Sequence, residues 1–290
     1  MTVGWIGLGA MGMPMATCLV EAGFPVIGFD VDPSRTATFP GTAGDSIDML
    51  SASADVLAVM VATPEQLDSV LFGPTGAAPH LRPGSVVLVM ATVGVDAIEQ
   101  AAERLAENSV HLVDAPVSGG VARARAGDLL FMVSGPQDAR ERTRGLIDVM
   151  ARQSAEFGEH PGDAQKAKLV NQLLCGVHIA VAGEALAFAE ALGLDMQQCW
   201  SALRAGAATS FMFEDRGARM VTRSYDEVRS ALGIFVKDLG LVTSEAATRG
   251  QRTEIAHAAY RAFLDGQAAG LSTRDDSVVL EVMRGRREED

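Results

Sequence analysis

The sequence predicts an α/β chain: a doubly wound parallel sheet over residues 1–161, then an all-α C-terminal domain over 162–290, joined by a long interdomain helix at about 164–192. Three observations carry this. Short β-branched apolar runs alternate with helix-like segments through the first half, the pattern of βαβ units. From Ala164 to Leu192 there is neither proline nor strand-like alternation, and Ala and Leu dominate. A length of 290 residues suggests two domains, at about 150 residues each.

In order along the chain, strands are expected at Val3 to Ile6, Val26 to Asp30, Val56 to Val61, Val86 to Val89, Val110 to Val113 and Leu130 to Val133, each rich in valine or other strand formers. A short strand at Ser154 to Phe157 finishes the sheet before His160, Pro161 and Gly162 break the pattern and set the domain boundary. Beyond Gly193 the segments Met196 to Arg204, Phe211 to Met220, Ala231 to Arg249, Glu254 to Leu264 and Asp275 to Met283 read as helices. The charged stretch Gly285 to Asp290 is expected to fray.

Composition narrows the function classes. With 48% hydrophobic and 21% charged residues the chain reads as globular, and no apolar run approaches the roughly 18 residues that cross a bilayer, so no membrane role is expected. A strand starting at the N-terminus leaves no room for a targeting peptide. The cysteines, Cys18, Cys175 and Cys199, are odd in number and widely spaced, which fits a reducing cytoplasm. A net charge of -13 opposes binding to a phosphate backbone, so nucleic acid is not an expected partner.

The stretch VGWIGLGAMGMPMA places Gly7, Gly9 and Gly12 as G-x-G-x-x-G between a strand and a helix. Glycine there allows a tight turn, close approach of backbone to a pyrophosphate and close helix packing, while the helix start offers free N–H groups. This is the Rossmann-type signature of a dinucleotide site. Asp30, eighteen positions after Gly12 and at the end of the next strand, is placed to bind an adenosine ribose diol, which favours NAD. A 2′-phosphate would meet that carboxylate, although Arg35 can fold back toward it, so NADP stays open. Asp32 is expected to cap the helix that follows Pro33.

A second polar group interrupts the long apolar helix at KAKLVNQ. Lys168, Asn171 and Gln172 share one helix face, flanked by Leu169, Leu173 and Val177, while Lys166 lies about 200° from Lys168 and can reach solvent. A half-buried lysine tuned from about 10.4 to about 8 needs roughly 3 kcal/mol and can exchange protons near neutrality. Spacing alone equally allows a lysine that snorkels over apolar surface. The segment Asp114-Ala115-Pro116-Val117-Ser118-Gly119-Gly120 follows a strand end, where open parallel sheets place ligands, and Ser118, Gly119 and Gly120 can offer a hydroxyl and consecutive N–H groups to a carboxylate.

Together these residues resemble the β-hydroxyacid dehydrogenases, the family that includes 3-hydroxyisobutyrate dehydrogenase and tartronate semialdehyde (2-hydroxy-3-oxopropionate) reductase. The likeness spans nearly the whole chain through GLGAMGMPMA (Gly7 to Ala16), DAPVSGG (Asp114 to Gly120), GDAQKAKLVNQ (Gly162 to Gln172), VKDLGLV (Val236 to Val242) and DDS (Asp275 to Ser277). The resemblance implies an NAD-dependent oxidoreductase acting on a small hydroxy acid, with Lys168 as acid/base, with Ser118, Gly119, Gly120 and Asn171 on the substrate, and with Thr92 and Lys237 near the cofactor. The expected cofactor set is completed by Gly7, Leu8, Gly9, Ala10, Met11, Gly12, Asp30, Val61, Ala62 and Gln66; no metal is expected. Within the family, VNQLLCGVHIAVAGEAL, SFMFEDR, IFVKDLGLV and LFGPTGAAPHLRPG look most like L-threonate dehydrogenases, which implies a four-carbon sugar acid.

Departures touch the nicotinamide contacts more than the chemistry. Val61-Ala62-Thr63-Pro64 stands where a Leu-Pro pair is usual, Val89-Met90-Ala91-Thr92 lacks the usual Asp and Ser, and Gln172 replaces a second Asn. His178, seven residues past Asn171, is read either as a substrate contact or as a hydrogen-bonded core histidine; Phe211, Met212 and Phe213 as pocket wall or ordinary core. A rival class is a non-catalytic NAD-binding scaffold, against which the retained Lys168 argues, and imine reductases, which share the architecture, generally lack the lysine. The Ala-rich helices predict a homodimer or homotetramer, because a bundle so apolar would otherwise expose large patches.

Overall fold

The computed structural model describes residues 1–285. One sheet contains nine strands: β1 (Val3–Ile6), β2 (Val26–Phe29), β3 (Thr42–Ala43), β4 (Val56–Val59), β5 (Val86–Val89), β6 (His111–Asp114), β7 (Val117–Ser118), β8 (Leu129–Ser134) and β9 (Ala151–Gly158). Their order is β3-β2-β1-β4-β5-β6-β8-β7, with β9 on β8. The chain returns past β1 to lay β4 on its other side, so the order reverses between β1 and β4, the place where such sheets bind ligands.

The run from β3 to β6 is parallel and in register, with Ile6 beside Phe29 and Val59, and Val59 beside Val89. Strands β1, β4 and β5 are buried at every position, which is why they read as continuous apolar runs rather than alternating ones. Two features depart from the expected all-parallel, seven-stranded sheet. β8 runs antiparallel to β6 and β7 and parallel to β9. β3 and β7 are two-residue strands, too short to carry a periodicity. The edge strand β9 also extends beyond the expected Ser154 to Phe157.

The sheet is covered on both faces. Trp5, Met15, Leu19, Leu88 and Phe131 belong to one apolar cluster, and Leu57, Leu71, Val87, Ile98 and Leu105 to the other. Asp32 caps the helix Pro33–Thr38 as expected, its carboxylate accepting from Ser34 N at 3.0 Å.

The long helix is Asp163–Ala191. The chain divides into two compact units within it, one ending at Lys168 and the other beginning at Leu169. Contrary to the expectation from apolar runs, this helix is long and apolar enough to cross a membrane by length and composition alone. A single such helix is weak evidence for spanning: this one carries Asn171, Gln172 and Glu184, and 44% of its apolar window is buried within the structure.

In the second unit Ile179 and Leu186 of the long helix join Phe213, Met220, Leu239, Phe263 and Val279 in one core, where Phe235 and Phe263 stack at 5.4 Å. The segment expected as one helix from Asp275 splits into a 3-10 turn, Asp276–Val278, and the helix Val279–Met283. The reason is charge. Asp275 and Asp276 are fully buried; Asp275 accepts from Arg219 Nε at 2.8 Å and from Arg229 N at 2.9 Å, and Asp276 accepts from Arg216 Nη2 at 3.0 Å. These partners hold both arginines above their ordinary range. The charged tail expected to fray lies outside the described residues, except for Gly285.

Candidate active site

The three glycines of the first turn do different work. Gly7 has φ +95°, and a Cβ there would sit 2.2 Å from the Met60 carbonyl oxygen; at Gly12 it would sit 1.9 Å from the Gly7 carbonyl oxygen. Both are therefore required by the fold itself. At Gly9 the nearest atom is Arg35 Nη1 at 3.7 Å, an ordinary contact, so the fold itself leaves room for a side chain there. The cradle that a side chain at Gly9 would fill fits a dinucleotide pyrophosphate approaching the backbone. A cavity of about 500 Å³ lies beside it, lined by Leu8, Gly9, Ala10, Met13, Arg35 and Arg125 among others. Met11 ends the loop before the helix Gly12–Glu21.

Asp30 is tied to the same turn. Its carboxylate accepts from Leu8 N at 2.7 Å and from Asp32 N at 2.9 Å, and Arg35 has folded back to 3.5 Å. Parallel register brings the ends of β1, β2, β4 and β5 side by side, so the glycine turn, Asp30, the Val61–Ala62 loop and Thr92 all lie along one sheet edge. Gln66 is used locally: its Oε1 accepts from Ala62 N at 2.8 Å while Thr63 caps its helix, which fixes the loop's shape.

The start of the long helix is clasped to that edge by a residue the sequence reading did not single out. Gln165 is fully buried. Its Oε1 accepts from Val93 N (3.1 Å) and Gly94 N (3.2 Å), and its Nε2 donates to Ala91 O (3.0 Å) and Asp114 Oδ1 (2.7 Å). Thr92 is thus bracketed by a single side-chain amide. Asp114, also fully buried, accepts in addition from Gly162 N and Gln165 N, and burial pushes its carboxyl up to about 6 despite those bonds. Lys168 follows Gln165 by three residues and is 5% exposed. Lys166 instead pairs with Asp163 at 2.8 Å near the surface, as its helix face predicts.

Ser118 ends β7, and Gly119 and Gly120 both take positive φ, +145° and +75°, with open space where a Gly120 side chain would be. In the second unit, Asn171 Nδ2 donates to Gln172 Oε1 at 2.8 Å, Gln172 Nε2 donates to the buried carboxylate of Asp238, and Lys237 Nζ pairs with the other oxygen of Asp238 at 2.7 Å. A continuous chain of polar contacts therefore links Asn171 to Lys237 through two residues. Neither Gln172 nor Asp238 had been assigned a role; the signal was present only as polar residues at helical spacing inside apolar helices. His178 is half-buried, and no hydrogen bond to its imidazole occurs among the described residues, which leaves the core-histidine reading without its expected partner. Phe213 is core, whereas Phe211 is half exposed.

Residues 2–158 match the family described as the NAD binding domain of 6-phosphogluconate dehydrogenase, and residues 162–283 the family described as NAD-binding of NADP-dependent 3-hydroxyisobutyrate dehydrogenase. L-threonate dehydrogenase of Cupriavidus necator is 37% identical over 98% of this chain and 96% of its own. The chain belongs to the β-hydroxyacid dehydrogenase family. Among solved structures of the family, 3-hydroxyisobutyrate dehydrogenase from Salmonella typhimurium superposes with a TM-score of 0.90 at 34% identity, covering 97% of this chain and 99% of that one. Psf3, solved with NADP+ and 2-OPP, superposes at 0.88 with 25% identity, covering 97% and 99%. This β-hydroxyacid dehydrogenase is thus an oxidoreductase that depends on NAD or NADP.

Proposed function

We propose that the enzyme oxidises L-threonate or a related four-carbon sugar acid, with NAD as hydride acceptor and Lys168 as acid/base. The observation that carries this is the Gln165 clasp: it fixes the helix turn bearing Lys168 to the ends of β5 and β6, beside Thr92 and on the same sheet edge as the dinucleotide turn. A nicotinamide cofactor, when bound, would supply the hydride acceptor for the carbinol carbon. Lys168 Nζ takes the hydroxyl proton in oxidation and returns it in reduction. Ser118 and the N–H groups of Gly119 and Gly120 hold the substrate carboxylate, and Asn171 orients the reacting oxygen, itself steadied by Gln172.

NAD is favoured because the Asp30 carboxylate is fixed at the end of β2, where it would accept from a ribose diol and repel a 2′-phosphate. Arg35 beside Asp30 supports NADP as the second reading. L-threonate is favoured by the name of the relative from Cupriavidus necator; 3-hydroxyisobutyrate and 2-hydroxy-3-oxopropionate are the alternatives. None of Cys18, Cys175 and Cys199 is in a disulfide, and a reducing cytoplasm is part of this reading.

The test is initial-rate kinetics with NAD+ and NADP+ against L-threonate, D-erythronate, 3-hydroxyisobutyrate, glycerate and serine, on the wild type and on Lys168→Met. L-threonate with NAD+ should give the highest kcat/KM, and the variant should lose turnover by orders of magnitude while still binding NADH. Equal activity in the variant would remove Lys168 from the mechanism. Tight NADH binding with no activity on any of these acids would indicate the scaffold role instead.

A further inference from the structure

Residues 1–20, which hold the glycine turn and all but the last residue of the helix Gly12–Glu21, carry no charged side chain; the first is Glu21. A dinucleotide pyrophosphate brings two negative charges to that turn. The N–H groups at the helix start supply about half a positive charge, so the remaining countercharge has to come from other segments. Among the described residues, two cations stand on the wall of the cavity beside the turn, Arg35 and Arg125.

Arg35 is already engaged. Its guanidinium lies 3.5 Å from Asp30 Oδ2 and 3.4 Å from Asp32 Oδ2, so the three side chains together are anionic. Arg125 differs. It is exposed, and its guanidinium makes no ion pair or hydrogen bond among the described residues. Its backbone, however, is held: Ala124 is fully buried, and Cys18 Sγ lies 3.5 Å from Ala124 O and 4.0 Å from Arg125 O, which ties the end of the helix Gly120–Arg125 to the helix that follows the glycine turn. Arg123, about 200° away around the same helix, pairs with Asp128 at 3.7 Å instead. Glu21, Asp30 and Asp32 set against Arg35 and Arg125 leave one negative charge around the turn, and two if Arg125 is removed. In a chain of net charge -13, a dianion approaching such a site is repelled unless a local cation meets it. A guanidinium suits the task, because its forked N–H groups match phosphate oxygens.

We propose that Arg125, reaching the glycine turn from the helix Gly120–Arg125, binds the pyrophosphate of the dinucleotide. The inference rests on the reading of that turn as the cofactor site. Its test is fluorescence titration with NADH, and competition by ADP, on the wild type, Arg125→Ala, Arg125→Lys and Arg152→Ala. Arg152 is exposed on the edge strand β9, and its loss changes the net charge by the same amount. Arg125→Ala should raise the Kd of NADH and of ADP by the same factor, at least tenfold. Arg125→Lys, which keeps the charge and loses the fork, should fall between wild type and Arg125→Ala, and Arg152→Ala should stay within twofold of wild type. The urea midpoint of ligand-free Arg125→Ala should match that of the wild type, since the side chain has no protein partner to lose. An NADH Kd within twofold of wild type in Arg125→Ala would overturn the proposal. So would an equal loss in Arg152→Ala, which would make the effect one of net charge, or a loss for NADH without one for ADP, which would put the guanidinium at the nicotinamide half. A wild type that does not bind NADH overturns the cofactor reading as well, whereas binding lost in Gly9→Ala and kept in Arg125→Ala leaves the turn as the site and removes Arg125 alone.

Discussion

Replacing Asp114 by Asn should change the stability of the first unit in a way that depends on pH. Burial lifts the Asp114 carboxyl from 3.8 to about 6. Between those values the folded chain holds a proton that the unfolded chain has released, so this group's contribution is fully present below pH 3.8 and is lost as pH rises through about 6. A shift of about two units corresponds to roughly 3 kcal/mol. An Asn at 114 does not titrate, but it brings one oxygen and one amide. The oxygen serves the Oδ2 side, where Gly162 N (3.2 Å), Gln165 N (2.9 Å) and Ser134 Oγ (3.5 Å) converge. The amide then faces Gln165 Nε2, a donor lying 2.7 Å from Oδ1 in the wild type. Losing that buried bond costs about 2 kcal/mol. The variant should therefore be about 2 kcal/mol less stable than the wild type at pH 4.5, and the difference should vanish or reverse by pH 8. Urea unfolding followed by circular dichroism at both pH values measures this. A difference that stays constant within 0.5 kcal/mol across the range would refute the assignment of a buried, proton-holding carboxyl at 114.

The glycine turn separates fold from ligand: Gly12→Ala should destabilise or prevent folding because of its backbone clash, whereas Gly9→Ala should fold normally and weaken NADH binding at least tenfold by fluorescence titration. Asp30→Ser, which removes the carboxylate and leaves Arg35 in place, should shift kcat/KM toward NADP+ by tenfold or more in initial-rate assays; an unchanged ratio would mean the ribose is not read at Asp30. Asp238→Ala should remove the acceptor of Gln172 Nε2 and one ion pair of Lys237, lowering stability by about 2 kcal/mol and reducing kcat more than it raises KM; an unaffected kcat would leave the Asn171 to Lys237 chain a structural feature only. Asp275→Ala removes the acceptor of Arg219 Nε while Asp215 still pairs with Arg219 Nη1 at 2.8 Å, and should cost about 2 kcal/mol, read as a lower midpoint of thermal unfolding.

Local signals carried much of this enzyme. Valine runs bounded by turn residues located β1, β2, β4, β5, β6 and β8, Ala and Leu without proline gave a helix within one residue of Asp163–Ala191, and G-x-G-x-x-G, Asp30 and the Asp32 cap each rest on chemistry within about twenty residues of chain. The face shared by Lys168, Asn171 and Gln172 follows from helical geometry alone. What the tertiary structure decided is where buried polar groups find partners. Gln165 meets Asp114 across 51 residues and Gln172 meets Asp238 across 66, while Asp275 and Asp276 meet arginines on another helix. The same holds for β3 and β7, whose two residues carry no pattern, and for the antiparallel placement of β8. A buried donor must be matched within about 3 Å, and such a match is set by how distant segments pack, which one-dimensional periodicity does not encode.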